Sequence, residues 1–277
     1  MHQFARKILK SETFYASAIL LAVLNICFFP CAWGNRTLLA SAQDAPSIFP
    51  TGAWAGTAVS SKHEISQTLD NRGPAFLGEP WLALAHYQYV HEHVFPLWNP
   101  YQVFGHPLAA NQESQPAYPL TLAVLLHVAP RSYNCYLHSP LFLADICCYL
   151  YLRFFVSFWP AVGGGVSAML AGYYLLFISM PQLSVEVLVP ASLLAAECLV
   201  RKTNHISLVG FSVLILLVFL GGMPESALLL LCFLCVYLLF RIVSDPDLRS
   251  HIGRLLVRLT TASIAGRQHD IRFPQRQ

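Results

Sequence analysis

Between Phe95 and Leu120 the chain reads FPLWNPYQVFGHPLAANQESQPAYPL. Trp98, Tyr101 and Tyr118 offer flat apolar faces, and Asn99, Asn111, Gln112 and Gln115 offer paired amide donors and acceptors. A sugar has apolar faces and hydroxylated edges, so this mixture suits carbohydrate binding. Pro96, Pro100, Pro107, Pro116 and Pro119 interrupt regular structure and hold the neighbouring side chains at fixed positions. An aromatic belt at a membrane surface explains the tryptophan and tyrosines, but accounts less well for the density of proline and amide.

Two carboxylates stand in similar places elsewhere. Glu186 follows the turn SMPQLS and Glu225 follows GGMP, each at the start of an apolar segment. A helix macrodipole favours an acid there by about 0.3–1 kcal/mol. The same carboxylates, facing an outer cavity, would contact an acceptor or a cation. Asp145 lies within an apolar run, where a carboxylate is costly and must face protein or water. His86, His91, His93 and His106 crowd the loop with Glu113. Such donors admit a divalent cation, although His91-Glu92-His93 has no metal-motif spacing and no metal ligands are assigned.

The elements that must position these groups are apolar. Of 277 residues, 56% are hydrophobic and 11% charged, against about 25% charged in soluble domains. Mean hydropathy is +0.52. The formal charge of +3 and the lack of a basic stripe exclude a nucleic-acid partner. Seven of the eight cysteines lie in or beside apolar runs, where they act as small hydrophobes. No disulfide framework or zinc spacing emerges.

The expected fold is an all-α, polytopic membrane protein in a lipid bilayer. Crossing requires roughly 20 apolar residues. Six segments meet or approach that length: 14–33, 137–158, 162–180, 184–200, 206–222 and 224–241. The stretch 118–129 is too short and is expected to lie on the surface. Arg6, Lys7 and Lys10 place residues 1–13 in the cytoplasm. Residues 34–136 then form a large extracytoplasmic loop, 137–241 carry five spans, and 242–277 form a cytoplasmic tail. With 118–129 on the outer surface, Arg153, Arg201, Lys202 and Arg241 all fall inside.

The first span is read as an uncleaved anchor. Its apolar run is long for a signal peptide, and Arg36 precedes the small-residue site at 40–42. Apolar Ile252, Leu255, Leu256 and Leu259, flanked by Arg254 and Arg258, suggest an amphipathic surface helix in the tail.

The run from Phe95 to Leu120 resembles the first-loop signature of bacterial YfhO-like membrane proteins, which belong to the GT-C superfamily of polyprenyl-phosphate-sugar-dependent glycosyltransferases. Pro96, Leu97, Trp98, Asn99, Pro100 and Tyr101 match that pattern, followed by Gly105, Pro107, Leu108, Ala110, Asn111, Tyr118, Pro119 and Leu120. GGMPES resembles the family's later turn through Gly222, Pro224 and Glu225, with Met223 in place of histidine. The resemblance covers about residues 75–265.

It implies a GT-C-like fold, represented by its N-terminal part because the family's chains are more than twice as long. It also implies transfer of a sugar from a polyprenyl-phosphate donor to a cell-envelope glycan acceptor, on the outer face of the bacterial inner (cytoplasmic) membrane. The catalytic base of such enzymes is a first-loop acid, a carboxylate that accepts the acceptor hydroxyl's proton. Glu79 occupies that place here, with Asp70 and Asp44 as alternatives. Trp98, Asn99, Tyr101, Asn111, Gln112, Tyr118, Glu186 and Glu225 are the expected substrate contacts. A catalytically inactive, truncated membrane protein or envelope-assembly scaffold is the alternative reading.

Overall fold

The computed structural model describes residues 2–41, 73–102, 104–201 and 204–245. Asp44, Asp70 and the amphipathic tail after Asp245 lie outside these residues. The fold is mostly helical, at 73%. Its helices are α1 His2–Cys27, α2 Phe29–Ala32, α3 Glu79–Tyr87, α4 Pro119–Leu125, α5 Pro130–Leu152, α6 Phe158–Met169, α7 Gly172–Leu176, α8 Leu183–Glu186, α9 Val189–Arg201, α10 His205–Leu220 and α11 Pro224–Ser244. Trp98–Asn99 and His106–Pro107 form a two-stranded antiparallel ribbon, with Trp98 opposite Pro107 and Asn99 opposite His106. Two compact units are distinguished, Met1–Leu231 and Cys232–Gln277. The description that follows concerns the first.

Among the described residues, three helical stretches are long and apolar enough to cross a membrane: Pro130–Leu152, Leu183–Arg201 and Pro224–Ser244. The apolar stretches Ser11–Cys27 and His205–Leu220 are shorter. On α10, Ile206, Val209, Leu216 and Phe219 are all exposed, a surface suited to hydrocarbon rather than water. These features mark a membrane protein.

Several boundaries differ from those expected. Helix α5 starts at Pro130 rather than at 137, because proline is well placed in a helix's first turn whatever its polarity. Segment 162–180 is split into α6 and α7 at Ala171, whose ψ of 126° leaves the helical region. Gly163, Gly164 and Gly165 lie within α6. A methyl group on Gly165 would sit 2.9 Å from the Asp145 carbonyl, so small residues let α6 approach α5 closely. The short 118–129 stretch holds only the seven-residue helix α4.

Contacts at the two ends of α5 set the direction of the chain. Near its start, Asn134 Nδ2 donates to the carbonyls of Cys31 and Arg36 at 2.9 and 3.0 Å, and Asn134 Oδ1 accepts from Leu38 N–H. At its other end, Arg153 Nη2 donates to Glu12 at 2.7 Å. Helices α1 and α5 therefore run antiparallel. Arg201, at the end of α9, lies beside the same terminus as Arg153, with its guanidinium 4.6 Å from the Phe154 ring centroid.

The core lies between these helices. Leu24, Leu137, Leu141, Met169, Leu183 and Val187 form one buried cluster. Ala16, Leu20, Tyr149, Ala161 and Val162 form another toward the Arg153 end. Val185, Leu188, Leu214 and Val218 join α8 and the turn after it to α10.

Candidate functional site

The proline-rich loop is pinned at the end of the bundle opposite Arg153, most extensively through one buried side chain. Gln115 has a left-handed backbone, with φ of 47°, and is 4% exposed. Its Nε2 donates to the Gly221 carbonyl at 2.7 Å and the Pro181 carbonyl at 3.1 Å. Its Oε1 accepts from Tyr136 and Ser184 hydroxyls, each at 3.2 Å, and from Thr121 at 3.5 Å. The amide thus joins the loop to α4, α5, the turn before α8 and the turn after α10. Gly222 is the complement of this arrangement. Its φ is +88°, and a Cβ there would lie 2.5 Å from Gln115 Cγ. Only glycine meets both demands.

The rest of the loop is held by its own side chains. Asn99, 3% exposed, accepts from Tyr101 N–H through Oδ1 at 2.9 Å and donates to Gln102 Oε1 at 3.1 Å. That Gln102 oxygen also accepts from Trp81 Nε1 at 2.8 Å and contacts His106 Nε2 at 2.8 Å. Gly105, with φ of +98°, packs against the Trp98 indole, where a Cβ would sit 2.7 Å from Cζ2. Tyr89 OH donates to the Pro116 carbonyl at 3.0 Å, tying the turn Gln88–Glu92 to the loop. Tyr118 is 2% exposed and donates to the Ser184 carbonyl at 3.3 Å. Burial pushes its phenol pKa upward.

Beneath this loop lies a cavity of about 320 Å³, at the lower end of the roughly 300–1,000 Å³ of small-molecule sites. Its polar lining includes Glu113, Gln115, Ser179, Gln182 and Ser184, and its apolar lining includes Leu77, Leu82, Leu137, Pro140 and Ile178. Trp81, Tyr133 and Tyr136 complete the walls. Pro140 interrupts α5 at this point. Its missing N–H cannot bond the Tyr136 carbonyl, and Ser139 Oγ donates to that oxygen instead at 3.2 Å. Ser179 Oγ is buried without a hydrogen-bond partner.

The expected contacts are dispersed. Glu79 opens α3 where the chain turns through a wide π-helical segment, with its N–H reaching the Pro74 carbonyl ahead of Pro80. Its Oε1 accepts from Ala40 and Ser41 N–H at 2.7 and 3.2 Å, and it does not line the cavity. Trp98 and Tyr101 are exposed, at 50% and 81%. Asn99 and Tyr118 are buried and structural, while Asn111 precedes the short turn Gln112–Ser114 without a side-chain capping bond, and Gln112 is exposed. Glu186 Oε1 accepts from Ser226 Oγ at 2.9 Å, and its Oε2 is buried without a partner. Glu225 is exposed in the first turn of α11. Of the eight expected substrate contacts, none lines the cavity. Gln115, which shares the loop's amide pattern, does.

Among the described residues, no group of three or more His, Cys, Asp or Glu side chains is placed to share a metal ion. Comparison with protein families, with curated proteins and with solved structures finds no match.

Proposed function

We propose that the chain is a GT-C-like glycosyltransferase of the bacterial cytoplasmic membrane. It moves a sugar from a polyprenyl-phosphate donor to a cell-envelope glycan at the outer face. The chain crosses the bilayer six times, with the 34–136 loop outside. Supporting this topology, the Asn134 and Gln115 contacts gather at one end of α5, and Arg153 and Arg201 gather at the other. The positive-inside rule places the arginine end in the cytosol.

The observation that carries the reading is the cavity under the signature loop. Its amide, hydroxyl and aromatic walls suit a glycan, and Glu113 supplies a carboxylate there. Glu79 remains the base implied by the resemblance. To act, it would have to release Ala40 and Ser41. Its engagement with those N–H groups favours a second reading, a non-catalytic envelope scaffold with an occupied carboxylate.

Membrane vesicles supplied with a polyprenyl-phosphate-linked radiolabelled sugar separate the two. Loss of a catalytic base costs about 10²–10⁴-fold. Glu79→Gln should therefore lower transfer by at least a hundredfold, with Glu113→Gln affecting mainly the acceptor concentration required. Absence of transfer by the wild-type chain supports the scaffold. Full transfer by Glu79→Gln eliminates Glu79 as the base.

A further inference from the structure

We infer that the cavity under the loop receives an uncharged, hydroxyl-rich group, the carbohydrate acceptor, and not the phosphate of a lipid donor. The inference rests on the proposed glycosyltransferase reading and assigns one of its two substrates to a place.

The argument is one of charge and hydrogen-bond valence. No Lys, Arg or His occurs among the described residues lining the cavity, and the single carboxylate there is that of Glu113. A phosphate is ordinarily held by Arg or Lys, by helix N-terminal N–H groups or by a metal. Here it would meet a like charge, and no described metal cluster offsets that repulsion. An uncharged polyol has no such demand. It needs neutral donors and acceptors with unfilled valences.

The cavity provides these. Ser179 Oγ is buried without a partner, and among the described residues the Gln182 side-chain amide makes no hydrogen bond while lining the same space. Gln115 cannot serve, because its amide is already committed to two carbonyls and to hydroxyls of Tyr136, Ser184 and Thr121. It shapes the floor, while Ser179 and Gln182 present the free groups. Trp81, its N–H occupied by Gln102, adds an aromatic wall of the kind on which a sugar ring stacks.

The test uses the full chain in detergent micelles, with binding read by tryptophan fluorescence and by melting temperature. The probes are three neutral disaccharides (maltose, cellobiose and gentiobiose), inorganic phosphate and farnesyl phosphate. At least one disaccharide should bind saturably. Ser179→Ala and Gln182→Ala, each melting as the wild type does, should weaken that binding about tenfold. Neither phosphate probe should compete. The inference is overturned if no disaccharide binds, if the two variants bind it unchanged, or if farnesyl phosphate displaces it. Sugar transfer without disaccharide binding overturns the inference and leaves the glycosyltransferase reading intact. Disaccharide binding without transfer overturns the glycosyltransferase reading and the acceptor role with it, and leaves only the cavity's preference for a neutral sugar over phosphate.

Discussion

Replacing Gln115 tests how far one side chain holds the loop to the bundle. In Gln115→Ala the Gly221 and Pro181 carbonyls lose their donor, and the Tyr136 and Ser184 hydroxyls lose their acceptor. A buried polar group left unpaired costs about 1–3 kcal/mol. The cavity beside Gln115 admits water, which recovers part of that cost. The net loss is then about 2–4 kcal/mol, or roughly 30- to 1,000-fold in the folding equilibrium, from the tenfold change per 1.4 kcal/mol. Gln115→Glu keeps the shape but directs an oxygen at two carbonyls. Its cost should equal or exceed that of alanine. The assay is denaturant titration in micelles, with protease cleavage of the 95–120 loop as a local readout. A Gln115→Glu chain as stable as the wild type would refute the assigned hydrogen bonds. So would an alanine chain whose loop resists protease unchanged.

Other outcomes are expected. Gly222→Ala should lower stability by about 2–4 kcal/mol and open the same loop to protease, since a positive φ is strained for L-residues and the new methyl meets Gln115. Asn134→Ala should cost about 2–3 kcal/mol, because the amide serves two carbonyls and the Leu38 N–H, measured by melting in micelles. Tyr118 titrates upward of its usual value near 10 through burial. A raised folded-state pKa gives stability that is whole below the unfolded pKa and fades as pH climbs above it. Stability should therefore decline above pH ~10, less steeply in Tyr118→Phe, as read by denaturant midpoints across alkaline pH.

The helical membrane architecture was legible because hydropathy is summed over many residues, and the span Pro130–Leu152 tolerates a polar first turn that hydropathy alone discards. The split at Ala171 was less legible. Only Gly172 marks it, and a single glycine inside an apolar run is weak punctuation. The loop's turn chemistry was partly readable, since Asn99 bonds only two residues along to Tyr101. The role of Gln115 was not, because its carbonyl partners lie 66 and 106 residues away. Its signal was one more amide among several. Glu79 failed to reach the cavity for a similar reason: the N–H groups that engage it come from nearly 40 residues upstream.

The Gln115–Gly221 bond also governs when the cavity floor can be completed. A ribosome adds about 5–20 residues per second, so the 106 residues separating the partners take roughly 5–20 s to synthesise. Throughout that interval the nascent amide has no Gly221 carbonyl to meet. Newborn chains must therefore hold an unfinished cavity floor while the helices that complete it are still being made.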